Sequence, residues 1–229
     1  MTYPTEKNIW YYLSLLVSYI IHPVFIPTYI FTVFLFFGNF IFEPYSPTGQ
    51  FNVVVLIFIT TAVIPLVLLA INLLLVRKKI THSALLMESK KDRVVPFFYI
   101  GIYYSILSYM FFTYLNSFPI LLTCLMVIIS VSVLLTAFIS LFWKISAHAI
   151  SLGASIMIFI LIDTVMPNED LLYVIIATLF VCGLTLSSRL YLNAHTSSQT
   201  YVGFLLGMVV SAIGLFFLLP NLLIFPFDI

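Results

Sequence analysis

Charge is what this chain has least of: only 7% of its 229 residues are Asp, Glu, Lys or Arg. Soluble domains carry roughly 25%. With 63% hydrophobic residues and a mean hydropathy of +1.20, the composition excludes a protein of the aqueous phase and leaves an integral membrane protein. The little charge present is balanced, nine Lys and Arg against eight Asp and Glu. A net charge of +1, with no basic arm to displace counterions from phosphates, argues against nucleic acid as a partner. Cysteine is nearly missing too. Cys124 and Cys182 lie singly inside apolar runs, so neither a disulfide framework nor a cysteine metal site is available. Internal repeats, linkers and low-complexity tracts are also lacking, which leaves one domain over residues 1–229. The first apolar run follows one lysine, Lys7, has no Ala-x-Ala-like cleavage site, and reads as an uncleaved anchor.

What the chain has in abundance is apolar runs of the ~20 residues that a helix needs to cross a bilayer. The expected fold is all-α: a polytopic membrane helical bundle of six to seven transmembrane helices with an interfacial N-terminal helix. The run over 9–42 is longer than one span and is interrupted by His22-Pro23 and Pro27, where proline removes a helix hydrogen bond and kinks the chain. This predicts a short interfacial helix up to Ile21 and a first span from about Val24, with His22 as a polar residue at the kink or headgroup level. Further spans are expected near 51–76, 96–115 and 119–142. A fifth opens at 144–148 and ends near Asp163, a sixth leads from the turn at 167–170 to Ser188, and a seventh covers about 201–219.

Alternating crossings put three polar clusters on one membrane face: the loop around Arg93, the segment 146–148, and the stretch 188–199. The turns at Glu43, Asn116 and Glu169 fall opposite. All nine Lys and Arg residues lie on the first face, Lys7 included. The positive-inside rule makes that face cytoplasmic, here in a bacterial cytoplasmic membrane.

Phosphoryl transfer needs cations and amides around phosphate oxygens, a nucleophile in line and an acid for the leaving oxygen. Arg93 and Arg189 can clamp phosphate oxygens bidentately. Ser146 to His148 open a helix, whose free amides favour an anion. His148 and His195 can change charge near neutral pH. Asn193 reads as an N-cap, which would put His195 in the first turn of the last helix and Gln199 one turn later. Small residues in steps of four, Gly203, Gly207 and Ser211 on the last helix and Ala147, Ser151 and Ser155 on the other, suggest that the two motif-bearing helices approach closely. Glu88 and Asp92 read as solvated loop charges.

Ser188-Arg189, five residues, then His195 resembles the third signature of the type 2 phosphatidic acid phosphatase superfamily, membrane lipid phosphatases related to vanadium haloperoxidases. Ile145-Ser146-Ala147-His148 keeps the Ser and His of that family's Pro-Ser-Gly-His signature. Lys90 or Lys91, with Arg93 and Pro96, is similar to its first signature, with a shorter Lys spacing and the Arg-Pro pair split. The likeness spans about residues 88–207. It implies His195 as the nucleophile forming a phosphohistidine, and His148 as the acid for the leaving oxygen and later the base for water. Phosphate would be held by Arg93, Arg189, Ser146, Ser188 and Lys90 or Lys91, with no metal or other cofactor. Gln199 stands where the family has an Asp that orients the nucleophilic His, which implies slower turnover unless Glu88 or Asp92 folds in.

The substrate implied is a lipid phosphate or pyrophosphate in the bilayer, such as phosphatidic acid, phosphatidylglycerol phosphate, a polyprenyl pyrophosphate or a lipid A phosphate. A lipid phosphotransferase, or a non-catalytic lipid-phosphate binder or transporter, is the alternative.

Overall fold

The computed structural model describes residues 8–37, 46–77, 90–114, 120–165 and 169–218. All regular structure among them is helical: α1 (Ile9–Ile20), α2 (Ile26–Phe37), α3 (Pro47–Phe58, a π turn Ile59–Val63, then Ile64–Arg77), α4 (Lys90–Tyr114), α5 (Ile120–Phe142), α6 (Ala147–Val165), α7 (Glu169–Tyr191) and α8 (Ser197–Leu218). Six helices, α3 to α8, are long and apolar enough to cross a membrane, and the chain is a multi-pass helical bundle.

The expected first span is described only in part. Its described part, α2, has 12 residues, about 18 Å at 1.5 Å per residue and well short of a ~30 Å hydrocarbon layer. The N-terminal helix matches expectation. Asn8 caps α1 by accepting the Tyr11 amide at 3.1 Å, and the chain breaks at His22-Pro23. Both ends of α1 meet the same membrane face. Tyr191, closing α7, donates its hydroxyl to Asn8 Oδ1 at 3.0 Å, and the Ser18 carbonyl reaches His148 near the start of α6. Trp10, Leu13, Leu16 and Ile20 stay exposed along α1, an apolar surface of the kind that suits a helix lying in the interface.

In lipid every backbone polar group needs a protein partner. Pro65 tests this, because it lacks the N–H that the Thr61 carbonyl would take in an α register and the Thr60 carbonyl in a π register. The π turn is the local response, with the Ile64 amide bonded to the Ile59 carbonyl. The two stranded carbonyls are satisfied from α4: Tyr104 donates its hydroxyl to Thr61 at 2.6 Å and Tyr103 donates to Thr60 at 3.0 Å.

The centre of the bundle is α5 and α6, the most buried of the spans. Phe31 and Phe34 of α2, Leu122, Leu125 and Met126 of α5, and Leu152, Ile156 and Phe159 of α6 form one cluster. Without a hydrophobic force between helices in lipid, close packing has to hold them. The tightest contact is α6 on α8. A Cβ added at Gly207 would overlap the Ile150 carbonyl, and one at Gly153 would overlap the Phe204 carbonyl.

The stripe expected on α8 is therefore correct, with Gln199, Gly203, Gly207 and Ser211 all buried. The stripe expected on α6 is not. Ala149, Ile150 and Gly153 meet α8, while Ala147, Ser151 and Ser155 turn toward cavities beside α1 and α2. Gly207→Ala is expected to lower stability by about 1–3 kcal/mol, as overpacking does. Thermal unfolding in detergent reads this, with Gly183→Ala, whose added carbon meets open space, as the control that is not lowered.

Candidate functional site

Arg189 sits in the last turn of α7, and the chain then turns through Asn193 at φ 52°, a left-handed conformation that Asn tolerates well. Asn193 thus ends the turn after α7 and is not the cap of α8. The cap is Thr196. Its Oγ1 accepts the Gln199 amide at 3.3 Å, while Gln199 Oε1 accepts the Thr196 amide at 3.2 Å, a reciprocal capping box. His195 precedes the helix and is not in its first turn.

The capping box settles the orientation of the Gln199 amide. With its oxygen committed to the Thr196 N–H, a flipped NH2 would face a donor. The same Oε1 lies 3.2 Å from His195 Nδ1. His195 must then donate from Nδ1, which leaves Nε2 as the bare lone pair of the neutral ring.

The start of α6 is tied to this turn. Ser146, fully buried, caps α6 by accepting the Ala149 amide at 3.4 Å, and donates its own amide to the Gln199 carbonyl at 3.4 Å. Arg93, near the start of α4, donates from a terminal guanidinium nitrogen to the Ile145 carbonyl at 3.2 Å. Three segments that are far apart in sequence meet here.

A fourth segment joins them. His148 Nε2 lies 3.0 Å from the Ser18 carbonyl, so it carries the proton there and leaves Nδ1 to give or take another. That carbonyl belongs to the last turn of α1, at the negative end of the helix dipole. The His22 ring packs edge-on against His148, with centroids 5.6 Å apart. His22 is thus a site residue and not a bystander at the kink. Its sequence signal, a His-Pro break between two apolar helices, marks the break without saying what it faces.

Arg93, Arg189, His148, His195 and His22 line one cleft of about 170 Å³, and most of its remaining wall is apolar, including Ile100, Ile128 and Ile158. No carboxylate stands among the described residues lining it. Both guanidiniums are buried, 5% and 7% exposed, so their fields act through little water. Burial first, and then the charges of Arg189, Arg93 and Lys144, lower the His195 pKa to about 2, against the weaker pull of Gln199. Burial and Arg189 lower that of His22 to about 4. Both rings are neutral at physiological pH.

The unfolded chain takes these protons near pH 6.5 and the folded chain resists them, so stability is complete above about 6.5 and falls as pH drops toward the folded values. For His195 the expected loss at pH 5 is about 2 kcal/mol. The midpoint of thermal unfolding should drop between pH 7.5 and 5, and His195→Gln, which cannot titrate, should flatten that slope.

Other expected residues stand apart. The Ser188 hydroxyl donates to the Leu184 carbonyl of its own helix at 2.8 Å and does not line the cleft. The Ser146 oxygen serves its cap. Lys90 and Lys91 open α4 close to Arg93, but their side chains lie outside the described residues, as does that of Asp92. Glu88 lies outside them altogether. No cluster of three His, Cys, Asp or Glu able to hold a metal occurs among the described residues.

Fold and site together define a multi-pass helical membrane protein with a cationic, histidine-lined cleft at one membrane face. Comparison with family models, with curated proteins and with solved structures finds no match.

Proposed function

We propose that the protein is a lipid phosphate or pyrophosphate phosphatase working through a phosphohistidine on His195. The observation that carries this reading is the cleft itself: two buried arginines and two tautomer-fixed histidines at its head, above walls made for hydrocarbon. Such a cavity suits a ligand with an anionic head and an apolar tail. Electrostatic clamping in a site of low dielectric is where most phosphoryl-transfer catalysis comes from.

The bare Nε2 of His195 attacks phosphorus, forming the N–P bond as the P–O bond to the lipid breaks. The phosphate dianion offsets the charge of Arg93 and Arg189, so a proton taken up with the substrate on His148 Nδ1 passes to the leaving lipid oxygen, while the Ser18 carbonyl accepts from Nε2 throughout. In the second half His148, now neutral, takes a proton from water through Nδ1. The water oxygen attacks phosphorus, the N–P bond breaks, and inorganic phosphate leaves. His195 is neutral before attack because burial among cations disfavours its imidazolium, which is the state a nucleophile needs.

Purified protein is expected to release inorganic phosphate from at least one of phosphatidic acid, phosphatidylglycerol phosphate, a polyprenyl pyrophosphate and a lipid A phosphate. Tight binding with no release from any of them would replace this reading with that of a lipid-phosphate binder. Release that appears only when an alcohol acceptor is supplied, with the phosphoryl group found on the alcohol, would make the protein a phosphotransferase.

A further inference from the structure

Two histidines suffice for the phosphoryl-transfer chemistry, yet the cleft contains a third. His22 comes from the break between α1 and α2, lines the same cavity as Arg93, Arg189 and His195, and lies against His148. Its Nδ1 accepts the Val24 amide at 3.3 Å across Pro23. That bond assigns the tautomer. Nδ1 is the acceptor, so the neutral ring carries its proton on Nε2, and only the Val24 amide bonds to this ring among the described residues.

We propose that His22 is a substrate ligand, hydrogen-bonding a non-bridging oxygen of the headgroup phosphate through its Nε2–H, so that the α1–α2 break forms the fourth wall of the anion site. The assignment rests on the lipid-phosphate reading of the cleft and adds to it a recognition residue outside all three phosphatase-like motifs.

Chemistry favours a donor here over a proton carrier. A carrier needs a lone pair to take a proton, as His148 has at Nδ1, whereas the lone pair of His22 is the one held by the Val24 amide. Lowering of the His22 pKa by burial and by Arg189 acts in the same direction and keeps the ring uncharged. A neutral donor also suits its surroundings. Arg93, Arg189 and Lys144 already supply positive charge near His195, and a further cation would raise their mutual repulsion when the site is empty. An N–H adds a directed bond to a phosphate oxygen without that penalty. The geometry is prepared before a ligand arrives, because Pro23 restricts the backbone and the Val24 amide holds the ring.

His22→Asn separates the two duties of the ring. Asn accepts an amide two residues on, as His22 Nδ1 does, but does not reach as far as Nε2. In full-length protein purified in detergent, His22→Asn should unfold at the wild-type temperature. It should bind inorganic phosphate about 10- to 100-fold more weakly, the effect of losing one hydrogen bond to a charged group. The KM for a hydrolysed lipid phosphate should rise, while the shape of the pH profile stays unchanged, since a neutral donor does not titrate. His22→Gln, whose amide NH2 extends to the position of Nε2, should regain part of the affinity, and decides the matter if His22→Asn folds poorly.

Phosphate bound at wild-type strength by His22→Asn, while Arg189→Ala loses it, would overturn the assignment and leave His22 a turn cap. A displaced pH profile in His22→Asn would also overturn it, in favour of a proton carrier. If the wild type neither binds phosphate nor releases it from lipid, the lipid-phosphate reading fails, and this assignment with it.

Discussion

Alanine at His195 is expected to cut phosphate release from lipid by at least ~10³-fold while leaving the affinity for inorganic phosphate within about tenfold. The asymmetry comes from the division of labour in the cleft. Arg93 and Arg189 remain buried and charged in the variant, so the anion keeps its clamps. What disappears is Nε2, the one lone pair freed when Gln199 Oε1 engages Nδ1. The direct measurement is a rapid-quench trap with labelled substrate. Wild-type protein should carry a phosphoryl group that is stable in alkali and labile in acid, as an N–P bond is, and His195→Ala should carry none. A variant that keeps turnover, or a wild-type label that is stable in acid, would remove His195 as nucleophile. Packing does not blur the result, because His195 lies in the turn before α8 and the α6–α8 contact is made by Ile150, Gly153, Phe204 and Gly207.

The large features of this molecule were legible in the sequence for a simple reason. Crossing a bilayer takes about 20 apolar residues, a periodic demand written locally in the chain. Connections between successive spans alternate faces, which is why Arg93, His148 and Arg189 were already assigned to one side. Features that escaped depend on how helices dock. His22 meets His148 across most of the chain's length, and only the angle at Pro23 decides that it does. The α6 stripe was misjudged because small residues occupy two adjacent rows of that helix, and spacing by fours does not say which row meets α8. α2 is the described part of the expected first span, whose apolar run continues to about residue 42, outside the described residues. The α8 cap was a different kind of miss. Thr196 and Gln199 stand at the Thr-x-x-Gln spacing of a capping box, a local signal, but Asn193 is also a good cap former and came first.

That capping box leads to the second large effect. Gln199→Leu is expected to lower turnover by up to about 10⁴-fold, the loss seen when an orienting group no longer selects the right histidine tautomer. The variant should also lose about 1 kcal/mol of stability with one half of the box. Gln199 looks at first like a weakened form of an aspartate, yet its position argues otherwise. One oxygen serves both the Thr196 amide that starts α8 and the His195 ring that faces the cleft, and Asp, one methylene shorter, does not reach both from the same backbone. Gln199→Asp should therefore lose the box and gain little.

Gln199→Glu keeps the reach and the box and adds a charge beneath the ring. That charge favours the positive ring of a phosphohistidine, but it also attracts Arg93 and Arg189 away from the substrate. The expected outcome is a faster phosphorylation step together with a higher KM, read by single-turnover kinetics against steady state. Equal activity in Gln199→Leu and wild type would show that the ring is oriented by something else. A loss in Gln199→Leu, recovered in Gln199→Glu and not in Gln199→Asp, would establish reach, and not charge alone, as what this position has to supply.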